Sequence, residues 1–95
     1  MRVEEERTIL REATLEVLVA CRMIPRHLPA IRRLVRREVP FTFTDDDLLF
    51  AIKILIGMGF LTLAENRFGI SDRWEATPEG VLYIERGSPS PQSRE

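Results

Sequence analysis

The stretch Thr44–Gly59, TDDDLLFAIKILIGMG, decides the fold of this chain. Thr44 and Asp47 have the spacing of a capping box, in which each side chain binds the backbone N–H of the other residue, so a helix is expected to start here. Gly57 and Gly59 stand where glycine commonly supplies the left-handed stop of a helix. The pattern therefore predicts one capped helix that is closed by glycine.

The residues after this helix predict a hairpin and a second helix start. Phe60–Ala64 and Arg73–Ala76 are expected to be two strands, joined by a turn at Glu65–Asp72 that is rich in turn-forming residues. Thr77 is placed to cap a final helix, and Pro78 occupies the first helical position, where a missing N–H costs nothing. The order is helix, strand, turn, strand, helix.

Two amphipathic helices are predicted upstream. The first covers Glu4–Cys21, and the second covers Arg26–Glu38. Pro25 and Pro40 end the helical segments, because the residue before proline avoids helical geometry. Phe41–Phe43 alternates and is expected to be a short extended segment. The apolar stripe expected on the first helix is Ile9, Leu10, Ala13, Val17, Leu18 and Cys21.

Length and composition predict one small domain over residues 1–86, followed by a disordered tail over 87–95 that has little to bury. No apolar run approaches the roughly 20 residues that span a bilayer, so no membrane association is expected. The acidic N-terminus lacks the features of a signal peptide. With one cysteine the chain cannot form an internal disulfide, and the expected location is the cytoplasm.

The run from Leu55 through Gly59-Phe60-Leu61, together with Trp74–Gly80, resembles winged-helix regulators of the MarR and PadR type. In that family a helix closes with Leu and Gly-Leu-Val, a wing follows, and a Leu-Thr-x-x-Gly entry opens the last helix. The resemblance covers residues 44–86, and residues 4–43 only by helix order. It implies a mostly α fold with a small β hairpin, a winged helix (winged helix-turn-helix), in a protein that regulates transcription by binding DNA.

Charge is concentrated in residues 22–37, which hold six arginines, one histidine and no acid in a chain of net charge −1. Arginine makes planar, bidentate contacts with phosphate, so this second helix predicts contacts with double-stranded DNA. The alternative is a solvated face that pairs with acids such as Glu4–Glu6 or Asp45–Asp47. The candidate nucleic-acid-binding residues are Arg26, Arg32, Arg33, Arg36 and Arg37, with Arg67 and Arg73 of the wing.

The third helix is poorly suited to reading bases. It opens with Asp45–Asp47, which phosphate repels, whereas base readout uses Arg, Lys, Asn, Gln, Ser or Thr. On the helical wheel Phe50, Ile54 and Met58 lie opposite the expected core face, and a helix that is apolar all round is normally buried all round. They are therefore the expected interface with a second copy or another protein; the alternative is that the Val39–Phe43 connection or the C-terminal tail folds over them. The core face expected for this helix is Leu48, Ile52, Leu55 and Ile56.

No residue pattern predicts catalysis, a cofactor or a metal. His27 and Cys21 are singletons without ligand spacing, and there is no nucleophile elbow or phosphate loop. Two non-enzymatic functions stay open. One is a small regulator-like protein that associates with DNA through the arginine-rich helix and the wing. The other is a winged helix used as a protein-interaction or dimerisation module that does not bind DNA.

Overall fold

The computed structural model describes residues 3–22, 24–64 and 73–86 of the chain of 95 residues. These residues form a small, mostly helical domain with one antiparallel sheet, an architecture compatible with a winged helix. In chain order the elements are α1 (Glu4–Ala20), β1 (Arg26–His27), α2 (Leu28–Arg36), α3 (Asp45–Gly57), β2 (Leu61–Leu63), β3 (Arg73–Ala76) and α4 (Pro78–Glu85).

The sheet has three strands in the order β1-β3-β2. The predicted hairpin is confirmed: β2 pairs antiparallel with β3, and Leu63 lies opposite Trp74. The start predicted for the second helix is wrong, because Arg26 and His27 form β1 and pair with Trp74 and Arg73 of β3. The His27 side chain then caps α2 by accepting a hydrogen bond from the Ala30 backbone N–H at 3.3 Å.

The predicted helix signals form as local hydrogen bonds. Thr44 and Asp47 make the reciprocal capping box, with the backbone N–H of each residue donating to the side chain of the other. Gly59 has φ 85°, the left-handed geometry that closes the end of α3 and that favours glycine. Thr77 accepts from the Gly80 N–H and donates to the Gly59 carbonyl at 2.6 Å, so it joins the end of α3 to the start of α4.

Helix α1 is the centre of the core, since it contacts α2, α3, α4 and β3. Its buried residues therefore extend beyond the predicted stripe, since Leu15 and Val19 are also buried. Two residues of the predicted stripe are not buried: Ile9 is exposed, and Cys21 is half-buried near the helix end. The one polar side chain in the core of the described residues is Thr14, whose hydroxyl donates to the Leu10 carbonyl at 2.7 Å.

The core face predicted for α3 needs one correction, because Ile56 is exposed and Ala51 is buried in its place. At about 100° per residue, the buried residues centre on the side of α3 that lies between Leu48 and Leu55. Ala51 bounds this arc on one side and Ile52 on the other, so Ile56 falls just outside it. The small Ala51 side chain faces α1 where the two helices pack.

Several predictions lie outside the described residues, namely the turn at 65–72, Arg67 within it, and the tail at 87–95. The segment Phe41–Phe43 forms no strand, although Phe41 and Phe43 pack on the core and Thr42 is exposed. Within the described ranges, no helix combines the length and the apolar character needed to cross a membrane.

Candidate nucleic-acid and partner surfaces

Helix α2 presents a cationic face to solvent. Its inner side is fixed in place by Ile31 and Val35, both fully buried, so the arginines between and after them are turned outward. Arg33, Arg36 and Arg37 are all exposed. Their spacing of three and four residues places them on neighbouring turns of one face. Among the described residues, none of these three guanidinium groups lies within ion-pair distance of a carboxylate.

Arg32 differs from the other arginines of α2. Its Nη1 donates to both carboxylate oxygens of Asp45, at 2.8 and 2.9 Å, and this ion pair ties α2 to the first turn of α3. The two side chains are 34% and 48% exposed, so the pair is partly solvated and contributes at most about 1 kcal/mol. For Arg32, the predicted alternative in which an arginine pairs with an acid at the start of the third helix is therefore confirmed.

The sheet brings a second group of basic residues together. Because β1 pairs with β3, Arg26 and His27 lie opposite Trp74 and Arg73, next to the start of α2. Arg26 is half-buried, and its Nε has no hydrogen-bond partner within the described part of the chain. Arg73 is exposed at the start of β3. Arg67, predicted beside them in the wing, is not among the described residues.

Acidic residues bound the far end of the cationic face. A groove of about 300 Å³ between α1 and α2 is lined by Glu16, Arg37 and Glu38, among others. Burial raises the pKa of the Glu16 carboxyl, and the neighbouring carboxylates of Glu12 and Glu38 raise it further. Arg33 and Arg36 thus lie between this acidic groove and the Arg32–Asp45 pair.

The outer face of α3 is apolar in the middle and acidic at its start. Phe50 and Met58 are 49% and 52% exposed, whereas Ile54 between them is half-buried. Leu49 and Ile56, which the sequence did not assign to this surface, are exposed as well. Side chains of this type offer no hydrogen-bond donors to base edges. Among the described residues, this face is therefore mostly apolar beyond its acidic start.

Asp46 and Phe50 form a ridge on this face. A groove lies on each side of the ridge, and these two residues line both grooves. The first groove, of about 230 Å³, lies between α1 and α3 and includes Arg7, Arg11 and Ile54. The second, of about 450 Å³, lies between α3 and the sheet; besides the ridge it is lined by Leu49, Ile52, Lys53, Ile56 and Trp74.

Sequence reasoning missed Arg7 as a part of these surfaces. The Arg7 guanidinium carbon lies 5.5 Å from the centre of the Phe50 ring, a cation–π distance, so α1 contributes a charge to the partner surface. Only the packing of α1 against α3 brings this pair together. His27 is expected from the sequence near the start of the second helix, and it forms the N-cap of α2, two residues before Pro29. In the described ranges, no three His, Cys, Asp or Glu side chains are grouped to hold a metal ion.

No protein-family model, curated protein or solved structure matches this chain. The described residues present two distinct surfaces, a cationic one on α2 and an apolar one on α3.

Proposed function

We propose that this chain is a small, non-enzymatic winged-helix protein that associates with double-stranded DNA through contacts to the phosphate backbone. The observation that carries the proposal is a set of exposed arginines on one face within two turns: Arg33 and Arg36 on α2, and Arg37 at its C-cap. Guanidinium groups bind phosphate in a planar, bidentate manner, which makes arginine better suited than lysine to a row of backbone contacts.

The surroundings of α2 support an extension of this contact toward the sheet. Arg73 is exposed at the start of β3, and His27 lies opposite it at the start of α2. Outside residues 22–37 the chain has a net charge of −7, so the attraction to DNA is local and orients the protein. We expect moderate affinity, in the range of about 10⁻⁴–10⁻⁶ M that is typical of backbone binding at physiological salt.

The third helix does not act as the base reader in this proposal. The Asp45–Asp47 carboxylates stand at the end of α3 that DNA would approach, and the exposed side chains behind them are apolar. Binding is therefore expected to be tolerant of DNA sequence, because phosphate contacts position a protein but carry no sequence information.

The first experiment measures duplex binding over a range of salt concentrations for the wild type and for a variant carrying Arg33→Gln, Arg36→Gln and Arg37→Gln. The slope of log K against log salt should become shallower by ~0.9 for each phosphate contact that is lost. The matched control carries Arg11→Gln, Arg86→Gln and Arg94→Gln, which removes the same charge outside residues 22–37. Equal weakening in both variants, or no binding at low salt, would overturn the proposal.

The second candidate is an interaction module that does not bind DNA. The specific observation that favours it is the exposed apolar face of α3, with Phe50 and Met58 about half exposed. If duplex binding is absent at low salt while the protein self-associates through this face, the second candidate replaces the first. DNA binding and self-association are compatible with each other, because the exposed arginines of α2 and the apolar face of α3 are separate surfaces.

A further inference from the structure

The ridge and grooves of α3 form a surface that is complementary to itself. Asp46 and Phe50, four residues apart, stand up between a groove toward α1 and a groove toward the sheet. Helices pack by inserting such a ridge of residues at i and i+4 into a groove of the partner helix. One surface therefore offers both the protruding side chain and the space that receives it.

We propose that the occupant of this surface is a second copy of the chain, with the two α3 helices packed antiparallel about a two-fold axis near Phe50. The Phe50 ring of each copy enters the groove of the other copy that is lined by Leu49, Lys53 and Trp74. A two-fold contact of this kind is the commonest closed arrangement of identical chains. It does not depend on DNA binding.

Charge selects the antiparallel arrangement. Asp46 and Asp47 lie on the N-terminal side of Phe50, and Lys53, the one base within α3, lies on its C-terminal side. Asp46 and Lys53 border the same groove, the one toward the sheet. With Phe50 on the axis, Lys53 of each copy therefore lies beside Asp46 of the other. A parallel pair would instead bring the carboxylates of both copies together, which is repulsive.

The apolar part of the surface supplies the affinity. Phe50 leaves about half of its surface in water within one copy, and Leu49, Ile56 and Met58 are exposed beside it. Burying aromatic and aliphatic side chains is the main favourable term in association. Arg7, which lies against the Phe50 ring, stays on the rim and holds the ring in place for insertion.

The test is sedimentation of two charge-reversed variants, first alone and then mixed. Lys53→Asp places acid against acid across the axis, and Asp46→Lys places base against base, so each variant alone should dissociate about tenfold or more readily than the wild type. In an equimolar mixture both contacts become attractive again, and a mixed dimer should form with nearly wild-type strength. Both residues are exposed, so the variants should fold; circular dichroism checks this.

A matched control is Glu79→Lys on α4, which changes charge on another element and should leave the dimer unchanged. Phe50→Glu should give a folded monomer. The proposal is overturned if the wild type is a monomer at micromolar concentration, if the single variants dimerise like the wild type, or if the mixture of variants stays monomeric.

Discussion

Gly80 is a position where a single methyl group should be costly. It is buried at the start of α4, and a Cβ there would meet the Phe60 carbonyl oxygen too closely and the Leu15 Cδ1 at 3.3 Å. Because the Phe60 carbonyl belongs to the backbone, it cannot rotate away as a side chain could. We expect Gly80→Ala to lower the free energy of unfolding by roughly 1–3 kcal/mol, measured by urea denaturation.

The control for Gly80 is Gly57, the last residue of α3. A Cβ at Gly57 meets nothing within 4 Å, so Gly57→Ala should stabilise the fold by about 0.5–1 kcal/mol through the better helix propensity of alanine. If Gly80→Ala proves as harmless as Gly57→Ala, α4 does not approach Phe60 as closely as described.

Glu16 gives a prediction about pH. Its pKa is raised by burial and by the carboxylates of Glu12 and Glu38, so its charged form is disfavoured in the folded state. The folded state therefore binds this proton more tightly than the unfolded state, and stability falls as the pH rises through the folded-state pKa. Glu16→Gln should raise the melting temperature at about pH 7, and the gain should vanish by about pH 4, where the carboxyl is protonated.

Glu5→Gln, a change at an exposed carboxylate in the first turn of α1, is the matched control for removing one charge. It should not reproduce this pH-dependent gain. A Glu16→Gln gain of the same size at both pH values would assign the effect to packing instead of ionisation.

At the scale of the elements, the ion pair between Arg32 and Asp45 withholds one arginine from the face of α2. Asp45→Asn should release it. We expect tighter duplex binding and a salt slope that is steeper by ~0.9, because one more phosphate contact becomes available. The same change should cost at most about 1 kcal/mol of stability, since the pair is partly solvated.

Glu38→Gln is the control for Asp45→Asn, because Glu38 is an exposed carboxylate just after α2 that does not pair with Arg32. It removes the same negative charge near the cationic face without releasing an arginine, so its salt slope should match that of the wild type. If both variants steepen the slope equally, general repulsion by carboxylates rather than the ion pair limits binding.

The elements that sequence predicts well are those with local causes. The capping box of Thr44 and Asp47, the left-handed Gly59 and the cap at Thr77 all act within a few residues, and all form as predicted. Strand β1 could not be recognised, because two residues show no alternation and its partner β3 lies far along the chain. The helical wheel places Ile56 in the core, whereas Ala51 is buried instead. Because α3 is apolar on most sides, residue spacing does not determine which of these neighbouring positions faces α1.

Across the described part of the molecule, the sequence indicates which residues form the two candidate surfaces, but not the contacts between helices that border them. The arginine face of α2 and the apolar face of α3 are helical periodicities, and both are readable from residue spacing. The Arg32–Asp45 pair, the Arg7–Phe50 contact and the acidic groove at Glu16 each join separate helices. Such contacts depend on how α1, α2 and α3 pack, which spacing alone does not determine.

Under the proposed function, two helices would have separate tasks. Helix α2 would contact the DNA backbone through Arg33, Arg36 and Arg37, which are exposed, and α3 would join two copies without reading bases. A dimer would place two cationic faces on one particle, and its affinity for DNA would then exceed that of a single face because the second contact becomes intramolecular.

Backbone binding without base readout is tested by measuring wild-type binding to two duplexes of equal length and unrelated sequence, each titrated across salt. We predict affinities that agree within a few-fold and fall along the same linear slope, because the contacts are to phosphate. A preference of about 10³ or more for one duplex would mean that base edges are read. That result, or the absence of binding to both duplexes at low salt, would contradict the account.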